Sequence, residues 1–364
     1  MLVNFRALKR DFMFFLVFIL FLTMLFAGGC APLEEEVDEE PVDEPVDEPV
    51  ETVELAFGNF MSPMHPLNVH VLGPWTDDVK ERTEGRVEIF LYPADELVPA
   101  AGNYDATVEG VIDIGLTLPA YTPGRFPLTE LLEFPFMFTS PLQANLTAWE
   151  VMETHPGLRE TEYKDVEVLW WGTTDLGNFL MTTPVETADD LPGLEIRSPG
   201  PVYNDVLEVL GATPVTMPVP EVYDAIDRGI VDGTVLPYST LYSFNLQEVV
   251  DYILELYMYG TPLHMVANKD SWAQISPEDQ AIIRELLDEF PRKIGELYSQ
   301  EAAAGKDLAV EAEIPIATLT PEDEQQFMDK LEPLIEEWIE EKEAEGLPAR
   351  EIYELMQEVK EKYE

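Results

Sequence analysis

Arg197 is the residue whose type and position most invite chemistry. It closes a short strand-like run, Leu194–Ser198, and is followed by the turn residues Ser198, Pro199 and Gly200. In an open α/β sheet, ligands bind beyond the carboxyl ends of the strands, which is where such a residue points. A guanidinium is a planar fork of N–H donors that meets a carboxylate in two parallel hydrogen bonds. Two roles fit the residue alone. One is capture of an anionic ligand. The other is a structural ion pair, easily made in a chain with 72 Asp and Glu residues.

Other chemistries lack their constellations. No Gly-x-Ser-x-Gly elbow, Ser-x-x-Lys unit or glycine-rich phosphate fingerprint occurs in the sequence. His65, His70, His155 and His264 form no His-Glu-x-x-His unit. His65 and His70 lie five apart, poor spacing for one helix face, so each histidine is expected at the surface or in a loop and not on a metal. Carboxylates are so abundant that any two mimic an acid/base pair, which empties that signal. The expectation is no enzyme, no cofactor and no metal site.

Cys30 is the sole cysteine. Before it stand Arg6, Lys9 and Arg10, the apolar run 12–27, and the small residues Ala27, Gly28 and Gly29. A basic start, an apolar stretch and a small-residue junction define a secretory signal over residues 1–29. Sixteen apolar residues reach about 24 Å at 1.5 Å each, short of the roughly 30 Å hydrocarbon core. The junction ending in Cys30 resembles a bacterial lipobox, with Ala27 standing where Leu is usual, and this resemblance implies lipidation of Cys30. An acylated Cys30 leaves the exported chain without a thiol, hence without a nucleophilic cysteine or a disulfide.

Residues 31–54 repeat a Pro-Val-Asp-Glu unit and hold twelve acidic and no basic residues. Charge repulsion and scarce apolar surface keep such a segment from packing. The segment from 30 to 52 is therefore expected to be a tether. The whole chain carries a net charge of −51. That balance excludes nucleic acid and anionic lipid surfaces as partners, since both require Lys and Arg. Self-repulsion of this size is screened within about 3 Å at 1 M salt, which suggests a protein built for brine. The melting temperature is accordingly expected to rise strongly between 0.1 M and 2 M NaCl, and a flat response would remove the idea.

The elements that must position Arg197 read as alternating strands and helices. Val53–Asn59 is predicted as a strand, Asn68–Thr83 as a helix, Arg86–Tyr92 as a strand, Asn103–Gly110 as a helix and Asp113–Leu118 as a buried strand. A second round follows: strands at Val166–Trp171, Phe179–Thr183 and Leu194–Ser198, a helix at Val202–Leu210 capped by Gly211, a strand at Thr213–Met217, a helix at Glu221–Arg228 and a strand at Val231–Leu236. From Ser276-Pro277 onward the pattern is helical, with starts at Pro277 and Pro321 and a last segment at Ala349–Tyr363. Two α/β units in series with mainly parallel sheets follow from this alternation.

Residues 189–237 carry a family resemblance. Asp190-Leu191-Pro192-Gly193-Leu194-Glu195-Ile196-Arg197, Leu210-Gly211-Ala212-Thr213-Pro214, Glu221-Val222-Tyr223 and Gly229-Ile230-Val231-Asp232-Gly233 resemble, in order and spacing, the signatures of substrate-binding subunits of TRAP transporters, the tripartite ATP-independent periplasmic family. The likeness extends weakly through His65-Pro66, Tyr121–Pro127 and Trp272–Pro277, about residues 53–330. It implies an α/β, two-lobed periplasmic-binding-protein-like clamp, with mixed, mostly parallel sheets, flanking helices and a long hinge-spanning helix. Lobe I is expected over 53–172 plus about 261–310, and lobe II over 173–260 plus the C-terminal helices at about 311–364. The resemblance makes Arg197 the carboxylate partner on one lobe, with the Tyr121 region facing it from the other. Asn178 stands where sialic-acid-type members have a second arginine, and Leu236 where they have Asn. Trp170, Trp171, Phe179 and Tyr238 also fall near the crevice. The expected ligand site is Arg197, Tyr121, Asn178, Phe179, Leu236, Tyr238, Trp171 and His65. Loss of one charge and one amide, with aromatics nearby, tilts the ligand toward a monocarboxylate or 2-oxo acid with an apolar or aromatic body, away from C4-dicarboxylates and sialic acid. Ca²⁺ occurs in some relatives, but no ligand cluster marks it here. The implied partners are the small and large membrane subunits of an ion-gradient-driven permease, at the outer face of the cytoplasmic membrane. An ABC-type solute-binding lipoprotein and a surface lipoprotein without a ligand are the alternatives.

Overall fold

The computed structural model describes residues 52–364. The signal segment, Cys30 and all but the last residue of the tether lie outside the described residues. In chain order the strands and helices begin β1 (Val53–Asn59), α1 (Gly73–Arg82), β2 (Val87–Tyr92), α2 (Asn103–Val108), β3 (Ile114–Thr117), α3 (Pro141–Thr154), α4 (Pro156–Thr161) and β4 (Val166–Met181). They continue with β5 (Glu195–Ser198), α5 (Pro201–Val209), β6 (Thr213–Thr216), α6 (Val222–Asp227), β7 (Gly233–Pro237), α7 (Thr240–Ser243), β8 (Tyr252–Glu255) and β9 (Gly260–Asn268). The chain ends with α8 (Lys269–Gln274), α9 (Pro277–Leu287), α10 (Phe290–Glu311), β10 (Ile316–Thr318), α11 (Pro321–Ala344) and α12 (Ala349–Glu361).

Two mixed sheets share one strand. The first runs β2-β1-β3-β9-β4 and the second β10-β8-β4-β7-β5-β6. β1 pairs in parallel with β2 and β3, starting at Val53↔Val87 and Phe57↔Ile114. β5 pairs in parallel with β6 and β7. β4 joins the sheets: its first half lies antiparallel to β9 from Val166↔Asn268, and its second half lies between β7 and β8. The sequence predicts two strands at Val166–Trp171 and Phe179–Thr183. The structure runs one strand of 16 residues through both, buried everywhere except at Glu167 and Thr174. Gly172 and Gly177 read as breaks, but β9 pairs with β4 as far as Leu176, across two register irregularities, and β7 takes over from Gly177, so the strand continues.

The helix signals behave as expected. Ser276 and Thr320 cap α9 and α11 by accepting from the Asp279 and Asp323 N–H groups. Gly211, at φ +86°, ends α5 by donating to the Glu208 carbonyl while the Ala212 N–H reaches Leu207. α3, capped by Ser140, and the strands β8, β9 and β10 were not legible in advance. β9 is buried at all nine positions, so it shows no alternation.

α10 is the long helix that touches both halves. Gly295 lies against Leu142 of α3, and Gly305 against Tyr238 just past β7. The C-terminal helices, expected on lobe II, divide their contacts. Phe327 and Leu331 of α11 do pack with Phe179 and Met181 of β4. Ile352, Met356 and Val359 of α12 instead share a buried cluster with Ala144, Ala148 and Val151 of α3. The amphipathic pattern of α12 specifies a buried face but not which neighbour covers it. Among the described residues no helix is long and apolar enough to cross a membrane, and no three His, Cys, Asp or Glu side chains cluster to hold a metal.

Candidate functional site

Arg197 sits third in β5, between Val215 of β6 and Thr234 of β7, and is only 2% exposed. Its Nε donates to the Met217 carbonyl at 2.9 Å, which locks the guanidinium plane. Nη2 reaches the Tyr121 hydroxyl at 3.5 Å, a long contact. Among the described residues no carboxylate forms a hydrogen bond or an ion pair with it, so the structural-salt-bridge role has no partner. Glu133 shares the surroundings of Tyr203 and Tyr259 with Arg197. Burial, then the charge of Glu130, pushes the Glu133 carboxyl well above its ordinary range, so it is held toward its neutral form.

Tyr121 comes from the other sheet, in the short helical turn Pro119–Tyr121 after β3. Its hydroxyl accepts from the Val219 N–H at 2.8 Å as well as from Arg197. Both lone pairs are thus engaged, and the hydroxyl hydrogen is free to donate to an anion beside Arg197. Burial raises the Tyr121 pKa, against the opposing pull of the guanidinium, so it stays a neutral donor.

These two residues form one end of a cavity with about 500 Å³ of non-atom space. It is a slot whose lining residues come from both sheets. Phe60, Leu118, Val219, Leu236, Phe244 and Leu263 make its walls apolar. His65 lies on the wall edge-on to Phe244, at 6.1 Å between ring centroids. Burial lowers the His65 pKa to about 4, so the ring is neutral at pH 7. Its Nδ1 accepts from the Leu67 N–H at 3.2 Å, which assigns the proton to Nε2. Asp175, fully buried in the middle of β4, also lines the slot. Ser239 holds it, donating from its hydroxyl at 2.8 Å and more loosely from its N–H at 3.4 Å. Burial pushes the Asp175 pKa up to about 7, and the Ser239 hydrogen bonds oppose that shift.

Arg197, Tyr121, Leu236 and His65 therefore lie on one cavity. The other four expected residues do not line it. The Asn178 amide oxygen accepts from the Leu256 and Tyr257 N–H groups, both at 2.9 Å, and pins the chain after β8. Phe179 points the opposite way along the pleat and packs on Phe327. Trp171 is sealed in the cluster under α3. Tyr238, 1% exposed, turns away from the cavity and donates to Glu255 at 3.0 Å. Trp170 is fully buried in the core. His264 departs from the surface or loop placement expected of the histidines, lying in β9 at 0% exposure, whereas His65 is in a loop but only 6% exposed. His264 is walled in by Tyr104, Phe126 and Tyr163, and burial lowers its pKa to about 3.

Sequence reasoning missed Phe60, Phe244, Tyr298, Ser239 and Asp175. A usable signal existed. Phe60 follows β1, Val219 follows β6, and Ser239 and Thr240 follow β7, all at carboxyl ends of strands. Asp175 fell in the stretch taken for a gap between two strands.

Two α/β sheets with a buried guanidinium facing an apolar slot form a site suited to holding a small organic anion. The profile of the bacterial extracellular solute-binding proteins, family 7 (DctP), matches residues 57–342, and the chain belongs to that family, the substrate-binding subunits of TRAP transporters. This separates it from ABC-type receptors, and the family is one of receptors and not of enzymes. The chain is similar to a TRAP solute-binding protein from Rhodoferax ferrireducens solved with copurified benzoate: identity is 30%, coverage 85% of this chain and 98% of that one, and the TM-score 0.81. A second solved relative, from Bordetella bronchiseptica with bound (R)- and (S)-mandelate, is 26% identical over 86% of this chain and 100% of its own, with a TM-score of 0.80. The 2,3-diketo-L-gulonate-binding periplasmic protein of Escherichia coli is 28% identical over 71% of this chain and 78% of its own length.

Proposed function

We propose that this receptor captures a monocarboxylate or 2-oxo acid with an apolar or aromatic body and passes it to the small and large subunits of an ion-gradient-driven permease. The observation that carries this reading is Arg197, 2% exposed and facing an apolar slot with no acid paired to it among the described residues. A buried cation without a partner is costly, and a ligand carboxylate relieves the cost. The apolar walls, Phe60, Leu118, Val219, Leu236, Phe244 and Leu263, favour an apolar or aromatic body over a hydroxyl-rich sugar acid. Benzoate and mandelate in the two solved relatives support the same class.

Closure follows from where the contacts originate. Arg197 belongs to the second sheet and Tyr121 to the first. A ligand held by both favours the closed state by its differential affinity. The moving bodies are lobe I, residues 53–172 plus about 261–310, and lobe II, residues 173–260 plus the start of α11. Cys30 acylation would hold both at the outer face of the membrane through the acidic tether.

Thermal melts with a panel of acids test the reading. A saturating ligand stabilises by about 2.7 kcal/mol at a hundred times its Kd. Benzoate, mandelate or phenylpyruvate is expected to raise the melting temperature, and succinate and sialic acid to leave it unchanged. Stabilisation by succinate or sialic acid alone would overturn the ligand class.

A further inference from the structure

We infer that Asp175 is a specificity-determining residue that selects, among the acids Arg197 can hold, those carrying a hydrogen-bond donor at the end remote from the carboxylate, and that it excludes dicarboxylates. The inference rests on the receptor reading above and names the ligand more closely.

The slot is lined by a guanidinium and by a buried carboxyl group, with apolar side chains among its other walls. At one end Arg197 and Tyr121 present donors. At the other, Asp175 presents an acid that is 0% exposed. The two do not neutralise each other. Arg197 acts electrostatically on Tyr121, Tyr203 and Tyr259 but not on Asp175, which is influenced by burial, the Ser239 donors, its own backbone N–H and Glu301. The sheet explains their separation. Arg197 is level with Thr234 on β7, whereas Asp175 bonds to Ser239, beyond the end of that strand. Leu236, between those two levels, lines the slot with Phe60, Phe244 and Leu263.

A carboxylate has about four lone-pair sites. Ser239 fills two of those on Asp175, one of them through the long 3.4 Å contact. Tyr298 lies on the same wall, and the charge of Asp175 adds to burial in raising its pKa. The remaining acceptor sites of Asp175 are the strongest polar feature at that end of the slot. A hydroxyl or ammonium on the ligand satisfies them. An unsubstituted ring leaves a buried acid under-bonded, and a second carboxylate meets it as a like charge.

Isothermal titration of matched ligands tests the assignment. The panel is benzoate, 3-hydroxybenzoate, 4-hydroxybenzoate, 4-(aminomethyl)benzoate and terephthalate, each against the native protein, Asp175→Val and Asp175→Asn. The native protein is expected to bind its best donor-bearing acid at least about tenfold more tightly than benzoate, because a site built around a ligand donor discriminates strongly against the analogue that lacks it. Tighter binding of a hydroxybenzoate identifies a hydroxyl as the donor, and tighter binding of the aminomethyl acid an ammonium. In Asp175→Val the ratio of donor-bearing acid to benzoate affinity is expected to collapse toward unity, whatever the change in benzoate affinity itself, a change in ratio that a merely structural role would not produce. Asp175→Asn keeps the shape and the Ser239 contact, so it carries the test if the valine variant fails to fold. In it the preference weakens and terephthalate gains affinity. Equal binding of benzoate and every donor-bearing acid by the native protein, or an unchanged ratio in the folded variants, overturns this inference alone. Failure of every acid to bind overturns the receptor reading and this inference together.

Discussion

Replacing Arg197 by alanine is expected to cost about 2–5 kcal/mol of ligand affinity, a loss of roughly 30- to 5,000-fold. The size follows from burial. The guanidinium is 2% exposed, so water cannot take over the role of the missing donors once the ligand carboxylate is desolvated against it. The Met217 carbonyl fixes the orientation of the fork before any ligand arrives, so little side-chain entropy is lost on binding. Arg197→Lys keeps the charge but not the planar fork, and is expected to fall between the native protein and alanine. The unliganded stability should move little by comparison: alanine leaves a void, but it also removes a buried cation with no acid paired to it. Titration calorimetry reads the affinity and a thermal melt reads the fold. Unchanged affinity for an acid that the native protein binds would remove Arg197 from the site.

Arg197 was legible because two independent signals met on it, a strand end followed by a turn and a spaced set of family motifs. The alternating first half was legible for a similar reason: β1, β2 and β3 each combine an apolar run with a clear stop. What stayed hidden was hidden for physical reasons. β9 is buried on both faces and has no period to read. β4 carries Gly172 and Gly177 within a central strand, where glycine usually signals a break, and its neighbours alone keep it extended. Asp175 vanished into that false gap. Phe179 and Tyr238 were near the slot in sequence, but the pleat and the turn after β7 point them elsewhere. Side-chain direction depends on register, and register depends on partners remote in sequence.

Gly305 lies far along the chain from Arg197, yet Gly305→Ala is expected to destabilise the protein, the reverse of the ordinary helix rule. Within a helix, alanine is favoured over glycine by about 0.8–1.0 kcal/mol. At position 305 a Cβ would stand 2.2 Å from the Tyr238 carbonyl oxygen, 2.4 Å from its carbon and 3.0 Å from the Ser239 nitrogen. All three are backbone atoms, which cannot swing aside as a side-chain tip can. Overpacking of this kind costs about 1–3 kcal/mol and occasionally more, enough to reverse the propensity gain. Gly295 meets the Leu142 Cα at 2.6 Å by the same measure, so α10 is seated closely at two points about 15 Å apart along its axis. Displacing it at 305 also moves Ser239, which holds Asp175, and Thr240, both on the slot. The melting temperature should therefore drop by several degrees, at about 2–4 °C per kcal/mol for a large domain, and ligand affinity should fall with it. Gly102→Ala is the matched control: a Cβ there meets nothing within 4 Å, and φ is −101°, so the change is expected to be neutral or mildly stabilising. A Gly305→Ala protein that melts at or above the native temperature with native affinity would show that α10 can shift freely along β7, and that the closed slot does not depend on how this helix is seated.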